Sequence, residues 1–183
     1  ASDTAGNAST VSPALAVTID TTGPAAPSAP DMADASDSGS SSTDDITSTT
    51  APIIAGTAEA NSTVTLTSDI DGVLGSPTAD GSGNWSITTS TLAEGAHALT
   101  STATDAAGNT GAASAALTIT IDTSSPAAPG APDLDVASDS GTSSTDDITN
   151  VTTPTVTGTA EVGATVTLAS NIDGDVGTAT ADG

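Results

Sequence analysis

Apolar residues recur at every second position in short runs, with Thr or Ser between them. Val64 and Leu66, Trp85 and Ile87, and Leu117, Ile119 and Ile121 each line one face in this way, the period of a half-buried strand. Turn chemistry breaks the runs. Asp71-Gly72 and Asp80-Gly81 are turn dipeptides, Gly83-Asn84 and Gly108-Asn109 tolerate positive φ, and Glu94-Gly95 precedes a run. The pattern predicts seven strands, over 46–48, 53–58, 63–68, 73–79, 85–88, 97–104 and 115–121. Short strands spaced about 8 to 12 residues apart indicate an all-β sandwich, and no stretch carries a helical period.

The pattern repeats. Residues 1–81 align on residues 103–183 without a gap, and 50 of the 81 positions are identical. A period of 102 residues is too long for a solenoid and suits tandem domains. Residues 1–22 are expected to be the end of a preceding repeat, with Leu15, Val17 and Ile19 alternating as its last strand. Residues 23–125 form one complete repeat, a link and loop over 23–45 rich in Pro, Ser, Gly and Asp followed by a sandwich over 46–122. Residues 126–183 are a truncated following repeat. They lack counterparts of 84–121, hence three strands and the Trp, and are not expected to close a sandwich alone. With no initiator Met or signal-like segment at its start, the chain reads as a slice of a longer polypeptide.

Charge narrows the function classes. The chain has 23 Asp plus Glu and no Lys or Arg, a formal net charge of −23. Such a surface repels nucleic acid and anionic lipid and makes metal cations the expected counter-charge. Halophilic adaptation would produce the same numbers. Hydrophobic residues make up 35% of the chain and Trp85 is the only aromatic, so the core is small and aliphatic. There is no cysteine, so stapling in an extracellular setting would fall to metal. No apolar run approaches the roughly 20 residues that span a bilayer.

The succession T-D-A-A-G-N, T-I-T-I-D-T-S-S-P, A-S-D-S-G-T-S-S-T-D-D-I-T-N, G-T-A-E, T-V-T-L, T-A-D-G-S-G-N-W-S-I-T and L-A-E-G-A-H-A-L resembles bacterial immunoglobulin-like repeats. In particular it is similar to those strung along giant adhesins of the type I-secreted, repeats-in-toxin class. The resemblance covers essentially the whole chain. It implies immunoglobulin-like sandwiches in tandem, a secreted or cell-surface location, calcium at or near domain junctions, and service as a stalk that holds a distal ligand-binding domain away from the cell. Neighbouring repeats are then the immediate partners, and host or environmental surfaces are met through other domains. The glycine- and aspartate-rich nonapeptide of that secretion route is absent from these residues.

Seven strands bring the chain in at one pole of a module and out at the other. Glu59, Asp80, Asp105 and Asn109 then fall at the incoming pole with Asp44 and Asp45, whereas Asp69, Asp71, Glu94 and Asp122 fall at the outgoing pole. Calcium takes six to eight oxygen ligands. Asp20 with Glu59, Asp80, Asp105 and Asn109 can supply them at one junction, and Asp122 with Glu161 and Asp182 at the next. A second candidate is the loop D-S-G-S-S-S-T-D-D, with Asp37, Asp44 and Asp45 repeated as Asp139, Asp146 and Asp147. It is not an EF-hand, lacking the closing acid and the flanking helices. Against both stands the ordinary role of loop aspartates as turn formers or solvated charges.

Catalysis is not expected, because one His with no Cys, Lys or Tyr offers no activated nucleophile. His97 reads as a structural strand residue, Trp85 as the plug of the core, and Met32 as a link residue with no evident role. The N-x-S/T triplets at Asn7, Asn61, Asn84 and Asn150 carry no weight in so Ser/Thr-rich a chain. Two competing functions remain: a ligand-binding module for a glycan or host surface, and a repeat of a halophile's envelope or surface-layer protein.

Overall fold

The computed structural model describes residues 1–183 and divides into two compact units, residues 1–123 and 124–183. In the first unit the strands are β1 (Asp31–Met32), β2 (Ile46–Thr47), β3 (Ile53–Thr57), β4 (Thr63–Ser68), β5 (Gly72–Gly75), β6 (Asn84–Thr88), β7 (Gly95–Thr104) and β8 (Leu117–Ile121). One sheet has the order β1-β3-β6 and the other β2-β8-β7-β4-β5. Alternation decides what they bury. In β4, Val64 and Leu66 are inaccessible while Thr63 faces solvent, and in β7 the inward positions are His97, Leu99, Ser101 and Ala103. The core joins Met32, Ile54, Val64, Leu66, Leu74, Trp85, Leu92, Leu99, Ile119 and Ile121. The module is an all-β sandwich.

Trp85 fits because it sits opposite Gly56 in the β3–β6 pairing. A Cβ on Gly56 would stand 2.7 Å from the indole ring, closer than packed carbons approach.

Three features differ from the alternation pattern. The first is an eighth strand, β1, inside the stretch read as link and loop. It pairs with β3 through Asp31↔Ala55 and Met32↔Ile54, which buries Met32 and makes it a core residue. Two residues between a proline and a loop are too short to show a period. The second is that β5 stops at Gly75 instead of running to residue 79. Pro77 has no N–H to give the ladder, and its carbonyl instead accepts from the Val64 N–H at 2.8 Å. The third is the tail. No strand forms over residues 9–22, and Leu15, Val17 and Ile19 are exposed at 85%, 71% and 86%. Their counterparts in β8 are held by pairing with Gly95–Leu99 of β7, and residues 1–22 contain no counterpart of that part of β7.

The poles follow from the pairings. Thr63 of β4 lies opposite Thr104 of β7, and the Asn61 N–H donates to the Ala79 carbonyl at 3.1 Å. The turns carrying Glu59, Asp80, Asp105 and Asn109 therefore share one pole. Asp44 and Asp45 do not join them. β2 runs parallel to β8 and pairs with its last residues, Ile46↔Thr120 and Thr47↔Ile121, so the Asp45 carbonyl accepts the Thr120 N–H at 2.8 Å. Strand β1 carries the chain along β3 before the loop begins, which sets residues 33–45 toward the pole where β8 ends.

The second unit holds β9 (Asp133–Leu134), β10 (Val156–Thr157), β11 (Thr165–Ser170) and β12 (Gly174–Thr180) in two separate two-stranded sheets. β12 outruns its counterpart β5 because Ala179 stands where Pro77 stands, and it pairs with Val166. Without counterparts of β6, β7 and β8, Val156, Val162, Ile172 and Val176 stay exposed, and only Ser138 and Asp139 are buried.

Candidate functional site

The β7–β8 turn is built by Asp105. Its Oδ1 accepts the N–H groups of Ala107 at 2.8 Å and Asn109 at 2.9 Å, and its Oδ2 accepts the Asn109 amide at 2.9 Å. Gly108 completes it with φ +90°. The same D-x-x-G-N device recurs with Asp3 and Asn7, and with Asp80 and Asn84, so Asp80 and Asp105 are turn builders whatever else they do. The Asn109 amide is the first cause holding the Asp105 carboxyl below its ordinary value of 3.8. For a depressed acid the stability is present above the unfolded value and lost as pH falls through the folded one. Acidification below about pH 3.8 is therefore expected to open the turn, read as collapse of the Asn109 backbone and side-chain amide shifts in an NMR titration. Shifts unchanged to pH 2 would refute it.

This turn also receives the link. The Asn109 amide donates to the Asp20 carbonyl at 3.1 Å, and the Asp20 carboxylate caps its own segment by accepting the Thr22 N–H at 3.0 Å. Backbone crowds backbone at this point: a Cβ on Gly111 would fall 2.1 Å from the Pro24 carbonyl oxygen. Pro24, Pro27 and Pro30 are buried at a three-residue spacing, and Ser28 exchanges two hydrogen bonds with Thr57, each 2.9 Å. At the other pole the Thr123 N–H and hydroxyl both donate to the Glu94 carboxylate.

Of the residues proposed for the first junction, the structure brings Asp20, Asp105 and Asn109 together. Glu59 and Asp80 occupy neighbouring turns of the same pole, with Asp80 engaged in its own turn. For the second, Asp122 ends the first unit, where its N–H donates to the Thr47 carbonyl at 2.9 Å. Glu161 and Asp182 belong to the second unit, where Glu161 accepts the Ala127 N–H at 3.3 Å and Asp182 is exposed. No three acidic side chains converge on one point anywhere in the chain. The donor set is nevertheless all oxygen, which suits a hard cation that also draws on carbonyl and amide groups.

The loop over 37–45 is more enclosed. Asp37 is 8% exposed; its Oδ2 accepts the Asp45 N–H at 3.1 Å, and its Oδ1 is buried with no partner. Asp44 caps β2 through the Ile46 N–H at 3.2 Å. Asp45 has φ 59°, and burial, then the charges of Asp37, Asp31 and Asp44, push its carboxyl above the ordinary range. The second unit repeats the burial, the caps and the backbone: Asp139 is 8% exposed with an unpartnered Oδ1, Asp146 caps Ile148, and Asp147 has φ 57°. There a cleft of about 410 Å³ is lined by Asp133, Asp135, Asp139 and Asp147 with Ser144 and Thr145. Asp31, Asp133 and Asp135 were not among the expected site residues. The recurring Pro-Asp pair, whose Asp opens β1 and β9, was the available signal.

His97 meets Ser68 Oγ at 3.1 Å and Asp71 Oδ2 at 3.2 Å through Nδ1, and the Ala93 carbonyl at 2.9 Å through Nε2. In a nucleophilic triad the hydroxyl and the carboxylate face opposite ring nitrogens. Here they share one and the other faces a carbonyl, so the trio is a structural tie.

Two antiparallel-dominated sheets, with a split first strand whose second half runs parallel to the last, define an immunoglobulin-like sandwich. The chain belongs to the bacterial Ig-like domain family, whose model matches residues 24–123 and again 126–183. This is a structural, non-enzymatic family, and its tandem match makes neighbouring repeats partners of one another. A solved structure described as a biofilm associated protein, BSP domain, is 35% identical with a TM-score of 0.33; the match covers 40% of this chain and 13% of that one. The chain thus spans a small part of that protein. A comparison with curated proteins returned no match. No helix is long and apolar enough to cross a membrane.

Proposed function

We propose that the chain is a length of the extracellular stalk of a large bacterial adhesin of the type I-secreted, repeats-in-toxin class. It serves cell adhesion or biofilm attachment indirectly, by carrying a distal binding domain outward. On this reading 1–22 ends one repeat, 23–125 is a whole repeat, and 126–183 begins the next. The observation that carries the proposal is the seating of the incoming link on the turn of Asp105 and Asn109, at the pole opposite the end of β8. A module fed at one pole and left at the other extends an array; one fed and left at the same pole would fold it back.

Calcium is proposed to stiffen the junctions. Asp20, Asp105 and Asn109 would hold it with Glu59 and Asp80 nearby, and Asp122, Glu161 and Asp182 at the next. A bound divalent ion supplies the positive charge that a chain without Lys or Arg cannot. The test is small-angle scattering of the 183-residue chain. Its maximum dimension is expected to rise with millimolar calcium and fall again with EDTA. Equal dimensions in both conditions would discard the stiffening role.

A further inference from the structure

We propose that Gly23 and Gly111 decide whether a link seats on the repeat it enters, and that serine at either position turns that junction into a hinge. Both serines occur in this chain. Ser9 stands in the preceding repeat where Gly111 stands, and Ser125 stands in the next link where Gly23 stands. The inference rests on the tandem-stalk reading but not on calcium.

Link and turn meet backbone to backbone. A Cβ on Gly111 would overlap the Pro24 carbonyl oxygen, and a Cβ on Gly23 would stand 2.9 Å from the Thr110 carbonyl oxygen, each inside the separation at which packed atoms attract. Neither glycine has φ in the left-handed region, so what each supplies is the missing side chain and not backbone freedom. The seat depends on that closeness, because the Asn109 amide reaches the Asp20 carbonyl at 3.1 Å. A retreat of the link by about 1 Å would put this bond beyond reach.

Both sides are pinned from behind, so added bulk lifts the link away. The Gly111 N–H donates to the carbonyl of buried Ala103 at 2.9 Å, and the Thr104 and Thr110 hydroxyls meet at 2.9 Å. On the link, Pro24, Pro27 and Pro30 are buried and Ser28 is tied to Thr57. The turn does not need glycine at 111 for its own sake. Residues 3–7 build the same turn with Ser9 in that place: Asp3 Oδ1 accepts the N–H groups of Ala5 and Asn7, each at 2.9 Å, and Ser2 bridges Ala8 as Thr104 bridges Thr110. Serine there preserves the turn and removes only its use as a seat. The next link likewise keeps Thr123 and Pro126 around Ser125, where the first has Thr21 and Pro24 around Gly23.

Gly111→Ser and Gly23→Ser in the 183-residue chain test this by NMR relaxation, measured in EDTA so that calcium plays no part. In the unaltered chain residues 20–22 are expected to be as rigid as the sandwich, with a backbone order parameter of about 0.85, and in Gly111→Ser to fall below about 0.6. The Asn109 backbone N–H, held by Asp105, is expected to keep its shift, which separates loss of the seat from loss of the turn. Gly23→Ser makes the milder overlap on an exposed residue; it is expected to act in the same direction and serves if Gly111→Ser does not fold. Gly81→Ser, where a Cβ meets nothing within 4 Å, is expected to change nothing at the link. Residues 20–22 as rigid in both variants as in the unaltered chain, or collapse of the Asn109 backbone shift along with the link, would overturn the glycine rule alone. Mobile residues 20–22 in the unaltered chain would overturn the seat itself and with it the stalk reading.

Discussion

Trp85→Ala is expected to remove about 3–5 kcal/mol from the first unit, a large share of the 5–15 kcal/mol typical of a domain. The ring is 3% exposed and is the one aromatic group in a core otherwise made of Ile, Leu, Val, Met and Ala. Gly56, opposite it, has no side chain with which to fill the void. Its Nε1 is buried without a partner, so Trp85→Phe removes an unsatisfied donor together with ring volume and is expected to lose clearly less than Ala. Denaturant unfolding of the full chain followed by far-ultraviolet circular dichroism measures both. A loss below about 1 kcal/mol for Trp85→Ala, within the ordinary range for point changes, would show that the ring does not hold the sheets together.

His97→Leu carries the second large effect, a loss of about 2–4 kcal/mol. Leucine keeps an apolar body in the inward row of β7 but abandons three groups at once: the Ser68 hydroxyl, the Ala93 carbonyl and the Asp71 carboxylate. These tie the β4–β5 turn to the segment before β7, two connections of the same pole. Asp71→Asn on the His97→Leu background is expected to add little, because the imidazole has already gone and the asparagine Oδ1 still accepts the Ala93 N–H. Full additivity of the two changes would mean that the imidazole and the carboxylate act independently.

Much of the sandwich was legible because Thr marks the outward positions of β4, β8 and the second half of β7 so regularly. His97 was correctly placed as structural for the same reason, sharing parity with Leu99. β1 was not legible, since two residues show no period and Met32 is recognised as core only once Ile54 is seen across from it. Its omission carried Asp44 and Asp45 to the wrong pole, because a strand pair that moves the chain along the module had been read as slack. The tail failed for another reason: the alternation of Leu15, Val17 and Ile19 is a property of a strand within a sheet, and here no neighbouring strand pairs with it. At the candidate sites, the link's approach to Asp105 and Asn109 could be inferred from the repeat. The burial of Asp37 could not, because a loop aspartate facing water and one turned inward have the same sequence.

The parallel pairing of β2 with the last residues of β8 bears on what tension does to the module. A pull along a string of modules draws the segment before Ile46 toward one pole and the segment after Ile121 toward the other. The two strands run the same way, so this load slides them past each other. The bonds from Thr120 to the Asp45 carbonyl and from Asp122 to the Thr47 carbonyl then lie across the pull and are strained together. An antiparallel pair loaded at one end would peel open a bond at a time. Once the Ser28–Thr57 bonds and the β1–β3 pairing ahead of it have yielded, the short strand that adds least to the sheet is thus the next to resist.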